Sequence, residues 1–167
     1  MSSSSDRKAA LEKLRQSESQ LDRFADPKTP PELLHFRPAV EDAWTIQEHI
    51  VHLFDCDMIF LIWIKKAIAE PGSEVWATGP ITDVWPRQLN YSDQPLLDTI
   101  EAFKRIRKIT YCLFKSIEDR AWGDCYVVRP DGQKRTLIDL LNILPRHINF
   151  HEEYFKRNES QWQEQTK

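Results

Sequence analysis

Glycine is scarce in this chain: 4 in 167 residues, at positions 72, 79, 123 and 132. Glycines so far apart exclude the G-x-G-x-x-G dinucleotide fingerprint, the phosphate-binding P-loop and the G-x-S-x-G nucleophile elbow, each of which needs them clustered. Cysteine is also sparse. Cys56, Cys112 and Cys125 are odd in number, widely spaced and form no C-x-x-C. They predict reduced thiols in a cytoplasmic protein rather than a disulfide framework or a zinc knot. Long apolar runs are missing too. The longest, Met58 to Ile64, falls far short of the roughly 20 residues of a membrane span and reads as a buried segment. The opening Met1-Ser2-Ser3-Ser4-Ser5-Asp6 has no apolar core of a secretory signal. Nor is there a basic excess. The net charge is −3, with 10 Lys+Arg against 16 Asp+Glu in residues 1–100 and 13 against 10 thereafter. Neither part suits a dedicated nucleic-acid binder. No nucleic-acid or membrane partner is therefore expected.

An apolar fraction of 41% fits one domain with one sizeable core. The expected boundaries are a disordered stretch 1–7, a domain 8–158 and a polar tail 159–167. Helical periodicity dominates. Leu11, Leu14, Leu21 and Phe24 mark a first helix, ended by Pro27, Pro30 and Pro31; residues 27–43 read as a loop with room for one helical turn. Thr45 and Glu48 form a capping box, with Trp44 in the staple position, and open a second helix from Ile46 to Ala69. Its apolar middle predicts cover on more than one side, by the bundle or by a homodimer partner. Residues 71–92 read as a long loop whose Trp76, Trp85 and Tyr91 could pack as a lid or as passive cover. Ser92 reads as the cap of a third helix. Leu96, Ile100, Phe103, Ile106, Thr110, Leu113 and Ile117 run down one face, and Lys104, Arg105, Arg107 and Lys108 lie largely on a solvated one. Asp131-Gly132 is the turn of a small β-hairpin. Thr136 and Asp139 cap a last helix, with a kink expected at Pro145. The sum is an all-α four-helix bundle with a long crossover loop and a hairpin before the last helix.

Five histidines are present, at 35, 49, 52, 147 and 151. His147 and His151 are spaced i, i+4, which puts both imidazoles on one helix face, suited to two ligands of one metal ion. His52, on the second helix, is placed to supply a third. A lone His-x-x-x-His is a weak pattern that packed histidines also produce. His49 reads as a staple or surface residue. Glu32-x-x-His35 is one element of a di-iron bundle, but two are needed, with two further Glu, so a di-iron centre is rejected. Asp55, one turn past His52, reads as a solvated carboxylate or as a contact to a metal-held water. Glu48 is taken up by its cap, and Glu152 orients a ligand or faces solvent.

The stretch Trp44-Thr45-Ile46-Gln47-Glu48-His49-Ile50-Val51-His52-Leu53 resembles the helix-opening motif of the DinB/YfiT-like superfamily. In that family a Trp-Ser/Thr-x-x-Glu start is followed, four residues after the Glu, by a metal-binding His, here His52. The stretch Leu144-Pro145-Arg146-His147-Ile148-Asn149-Phe150-His151 is similar to the family's final-helix motif, which supplies two further ligands. The likeness spans about Lys8 to Phe155. It implies a DinB-like bundle holding a divalent metal, nickel or zinc, on His52, His147 and His151, with positions open for water or substrate. It also implies a metal-dependent hydrolase, or an S-transferase with a low-molecular-weight thiol as cosubstrate. Many relatives continue after the last His with Gly-Gln, where this chain has Glu152-Glu153. Two other readings stand beside the enzyme: a non-enzymatic metal-binding or stress-related module, and a metal-free dimeric interaction domain.

Overall fold

The computed structural model describes residues 4–75 and 84–166. Its helices are α1 (Ser4–Gln16), α2 (Pro31–Leu34), α3 (Ile46–Ala69), α4 (Val84–Gln88), α5 (Leu96–Lys115), α6 (Ala121–Asp124) and α7 (Leu137–Gln165). Strands β1 (Tyr126–Val128) and β2 (Lys134–Thr136) form an antiparallel hairpin before α7. The long helices α1, α3, α5 and α7 build the bundle: α3 packs against α5 and α7, and α1 packs against the same two. Helices α1 and α3 therefore hold opposite corners, and α3 and α7, which carry the His52 and His147/His151 positions, are neighbours.

Local chemistry sets the ends of the two histidine-bearing helices. Thr45 Oγ1 accepts from the Glu48 amide at 3.2 Å, and Glu48 Oε2 accepts from the Thr45 amide at 2.8 Å. Thr136 and Asp139 repeat the reciprocal box at the start of α7. A cap of this kind contributes about 1 kcal/mol. Trp44, just before the first cap, packs on His49 in the following turn with ring centroids 5.2 Å apart, which is the staple. The hairpin turns at Gly132, whose φ of 78° suits glycine. α7 passes through Pro145 without ending.

Several expectations need correction. The first helix stops at Gln16, because buried Ser17 turns its hydroxyl onto the Leu14 carbonyl at 2.6 Å, a local bond that competes with the helix ladder. Two 3₁₀ turns follow, Ser17–Ser19 and Asp22–Ala25, and they still bury Leu21 and Phe24. Helical structure begins at Ser4, inside the stretch expected to be disordered, and α7 runs to Gln165, through the expected tail. Arg23 pairs with Glu159, and Trp162 packs on the core, which holds those last turns in place. α5 begins after Pro95 rather than Ser92. Gln47 Nε2 donates to the carbonyls of Ser92 and Gln94 at 2.6 and 2.9 Å, pinning that segment in a 3₁₀ turn. Part of the loop expected over 71–92, including Trp76, lies outside the described residues, and the described part contains α4 and the 3₁₀ turn Tyr91–Asp93.

The core has two apolar clusters. One gathers Leu14, Ile64, Phe114 and Leu144, the other Leu21, Leu53, Phe103 and Ile148. One buried polar group ties the four corners of the bundle together. Arg107 of α5 donates to both carboxylate oxygens of Asp57 on α3, to Ser17 Oγ just past α1, and to the Leu144 carbonyl of α7 at 3.0 Å. Its side chain is 0% exposed and that of Asp57 is 1%. Arg107 is thus removed from the solvated basic face expected of α5, whereas Lys104 and Arg105 remain there, paired with Asp22 and Glu101. The apolar run of α3 is only partly covered: Trp63 and Ile64 enter the core, while Met58 and Ile62 stay exposed.

Candidate metal centre

His147 and His151 lie one turn apart on α7, and the face they share looks onto α3, where His52 meets them. His52 Nε2 is 3.3 Å from His147 Nε2, and His147 Nε2 is 3.1 Å from His151 Nε2. One donor atom from each of the three lies within 4.8 Å of the others. Burial holds His147 down to about 3, and it pushes His151 well below the ordinary imidazole range, with the neighbouring histidines adding to both shifts. Both rings are therefore neutral near pH 7, and a neutral imidazole has one lone pair to offer. Three imidazole nitrogens converging on one point are the donor set of a first-row divalent ion. By this test the residues fit a metal.

His49 completes the cluster, a role the sequence reading did not assign to it. Its Nδ1 lies 2.9 Å from His151 Nδ1, its ring stacks on Tyr154 at 5.0 Å, and it is buried. Burial first, then His52 and Arg157, lowers His49 to about 3. With both rings neutral, one proton bridges the two Nδ1 atoms. When His151 carries it, His49 is the acceptor and the His151 Nε2 lone pair is left for an ion. The signal was present in the sequence, since His49 and His52 are spaced i, i+3 on one helix face. Asn158, fully buried on α7, donates to the backbone carbonyl of Trp44 at 2.9 Å, and the Trp44 indole packs against His49 and His52.

Cys56, one turn past His52, places its Sγ 3.7 Å from His52 Nε2. Burial pushes its thiol far up, so it stays protonated. The other positions considered lie elsewhere. Asp55 is neither solvated nor at the cluster: it accepts the Tyr91 hydroxyl, and burial raises its carboxyl. Glu48 is held by its cap and by Arg37 at 2.6 Å. Glu152 pairs with Arg23 at 2.9 Å. His35 sits exposed at the end of α2.

The cluster opens onto a cleft of about 1290 Å³ along α7. Trp44, Phe60, Trp63, Phe150 and Tyr154 contribute apolar wall, and Arg129, Arg135, Arg146 and Arg157 contribute charge. Concave sites of this kind, largely apolar with a few convergent polar groups, are where small molecules bind. No helix among the described residues is long and apolar enough to cross a membrane.

These features define a four-helix bundle with a histidine cluster between two adjacent helices. The model of the DinB superfamily matches residues 13–155, and the chain belongs to that superfamily. Its structure is similar to that of YfiT from Bacillus subtilis, described as a probable metal-dependent hydrolase with an unusual four-helix bundle topology. The TM-score is 0.84 at 14% identity, over 97% of this chain and 90% of that one. At that identity the likeness establishes the fold. No curated protein matches the sequence.

Proposed function

We propose that this protein is a metal-dependent enzyme acting on a small molecule, with His52, His147 and His151 holding one divalent ion, nickel or zinc. The observation that carries this reading is the convergence of three imidazole nitrogens on the floor of an open cleft. A divalent ion there supplies Lewis acidity, lowering the proton affinity of a water or thiol that it coordinates. The chain's own residues do the rest. His49 sets the tautomer of His151. Trp44, Phe60, Trp63 and Phe150 give the cleft apolar walls that thin the water around the reacting atoms and strengthen electrostatic effects there. Hydrolysis is the first reading, supported by the description of the structural relative. Transfer to a low-molecular-weight thiol is the second. The cleft, at about 1290 Å³, is somewhat larger than the roughly 300–1000 Å³ of common small-molecule sites and has room for a thiol beside a second substrate. The free thiols of Cys56, Cys112 and Cys125 support a reducing, cytoplasmic location.

The test is metal content and turnover measured together, on protein purified without chelator or added metal. About one equivalent of metal is expected, with turnover in a panel of ester, amide and thiol-transfer substrates, and with both lost in His147→Ala. Turnover lost while metal is retained would count against this ligand set. Metal bound with no turnover in any assay would favour a structural metal module.

A further inference from the structure

The chain is acidic overall, yet its cleft is not. Arg129, Arg135, Arg146 and Arg157 all line it. The acidic groups on the same wall are Glu41, Asp42 and Asp139. Two of these are engaged: Asp42 accepts from Arg87 at 2.9 Å, and Asp139 is committed to the Thr136 cap. The arginines are largely uncommitted. Arg146 has no ion pair or side-chain hydrogen bond among the described residues, and Arg135 donates only to the neutral Gln133 amide at 3.0 Å. Arg129 faces Asp131 at 3.6 Å, a loose and part-exposed pair that holds little energy.

Position spreads these arginines along the cleft. The hairpin register pairs Val127 with Arg135, so Arg129, two residues after Val127, shares the face of Arg135. Both face the cleft beside the start of α7. Arg146 precedes His147 on that helix. Arg157 lies eleven residues further along α7, about 16 Å away, and its guanidinium sits over the Tyr154 ring at 5.0 Å. Arg146 itself lies ten residues along α7 from Thr136, about 15 Å, so positive charge runs along the cleft from the hairpin, past His147, to Arg157.

We propose that the cleft takes a small-molecule substrate carrying a carboxylate or phosphate group, held by Arg146 next to His147, with Arg129 and Arg135 at the hairpin extending the positive wall, while the reacting end lies at His52, His147 and His151. Guanidinium groups match both anions with paired N–H donors and bind them more strongly than neutral donors do. The apolar wall of Trp44, Phe60 and Trp63 suits the carbon skeleton between the two ends. Arg129, Arg135 and Arg146 act here as specificity-determining residues. The inference rests on the metal reading above.

Cobalt-loaded protein tests it, because a thiolate on cobalt gives a charge-transfer absorption band that reports occupancy of the cleft floor. The protein is titrated at low ionic strength with mercaptosuccinate, which carries two carboxylates, and with 2-mercaptoethanol, which carries none. Mercaptosuccinate is expected to bind about tenfold more tightly or better, with the advantage shrinking as salt screens the charges. Arg146→Gln should remove most of that preference and Arg135→Gln a smaller part of it, and both should leave 2-mercaptoethanol binding unchanged. Equal affinity for the two thiols, no binding of either, or a preference that largely survives in the Arg146 variant would overturn the anionic substrate and leave the metal site standing. Failure of cobalt to bind in a His147-dependent way would overturn the metal reading and this inference with it.

Discussion

The Nδ1 atoms of His49 and His151 face each other at 2.9 Å across the α3–α7 interface. Both rings are buried, so a hydrogen bond between them can be satisfied in only one way at a time, with one nitrogen donating and the other accepting. Ring nitrogens of metal-binding histidines are commonly oriented by such outer partners. His49→Ala is therefore expected to weaken metal affinity by about 10- to 100-fold. His49→Asn, which keeps a side-chain acceptor, should recover part of that loss. Competition with a chromogenic chelator measures both. Unchanged affinity in His49→Ala would reduce the contact to packing.

The ligands themselves should be separable from the fold. The clusters around Leu14 and Phe114 and around Leu21 and Phe103 are apolar cores independent of His52, His147 and His151. Chelation is expected to leave the helical circular dichroism intact and to lower the melting temperature only by mass action. At a metal concentration about a hundred times Kd, the ion contributes about 2.7 kcal/mol. His52→Ala should behave like the chelated protein, folded but with metal well below one equivalent. Loss of helix on chelation would mean that the ion organises the bundle.

Much of this arrangement is legible in the sequence because it is local. Thr45 with Glu48 and Thr136 with Asp139 are three residues apart, and Asp131-Gly132 is its own turn. The i, i+4 spacing of His147 and His151 fixes their shared face without reference to any other helix, and the resemblance of the two motifs pointed to His52 as their partner. The parts that were missed depend on distant partners. Arg107 reads as one more cation in the run from Lys104 to Lys108. Only its meeting with Asp57, fifty residues earlier, and with Ser17, ninety residues earlier, puts it in the core. Asp55 reads as solvated until Tyr91 covers it. His49 reads as a staple, which it is, but its other edge meets a helix more than a hundred residues away.

The Arg107–Asp57 pair yields a stability prediction. Removing one partner leaves the other charge buried without compensation, which costs about 3–5 kcal/mol. Arg107→Ala should cost somewhat more than Asp57→Ala, because it also removes the hydrogen bonds that Arg107 donates to the Leu144 carbonyl and the Ser17 hydroxyl. Replacing both together, as Arg107→Met with Asp57→Leu, should recover most of the loss. Urea unfolding measures the alanine variants, and wild type, Arg107→Met, Asp57→Leu and the double variant form a double-mutant cycle. Additive losses with no recovery would show that the two charges are not coupled.

Proton linkage gives a further prediction for the metal-free protein. His49 and His147 are held to about 3 in the folded state, mainly by burial, against about 6.5 in the unfolded chain. Between these values the unfolded state binds more protons, so stability falls as the pH falls. The contribution is fully present above about pH 6.5 and is lost progressively down to about pH 3. Each such histidine adds about 1.4 kcal/mol to the slope per pH unit in that window. Between pH 6.5 and 5 the metal-free wild type should therefore lose stability more steeply than His147→Leu, by about that amount per unit. Urea unfolding at half-unit intervals gives both slopes. Equal slopes would mean that His147 is charged and hydrated in the native protein, and that its nitrogen is not held ready for a metal.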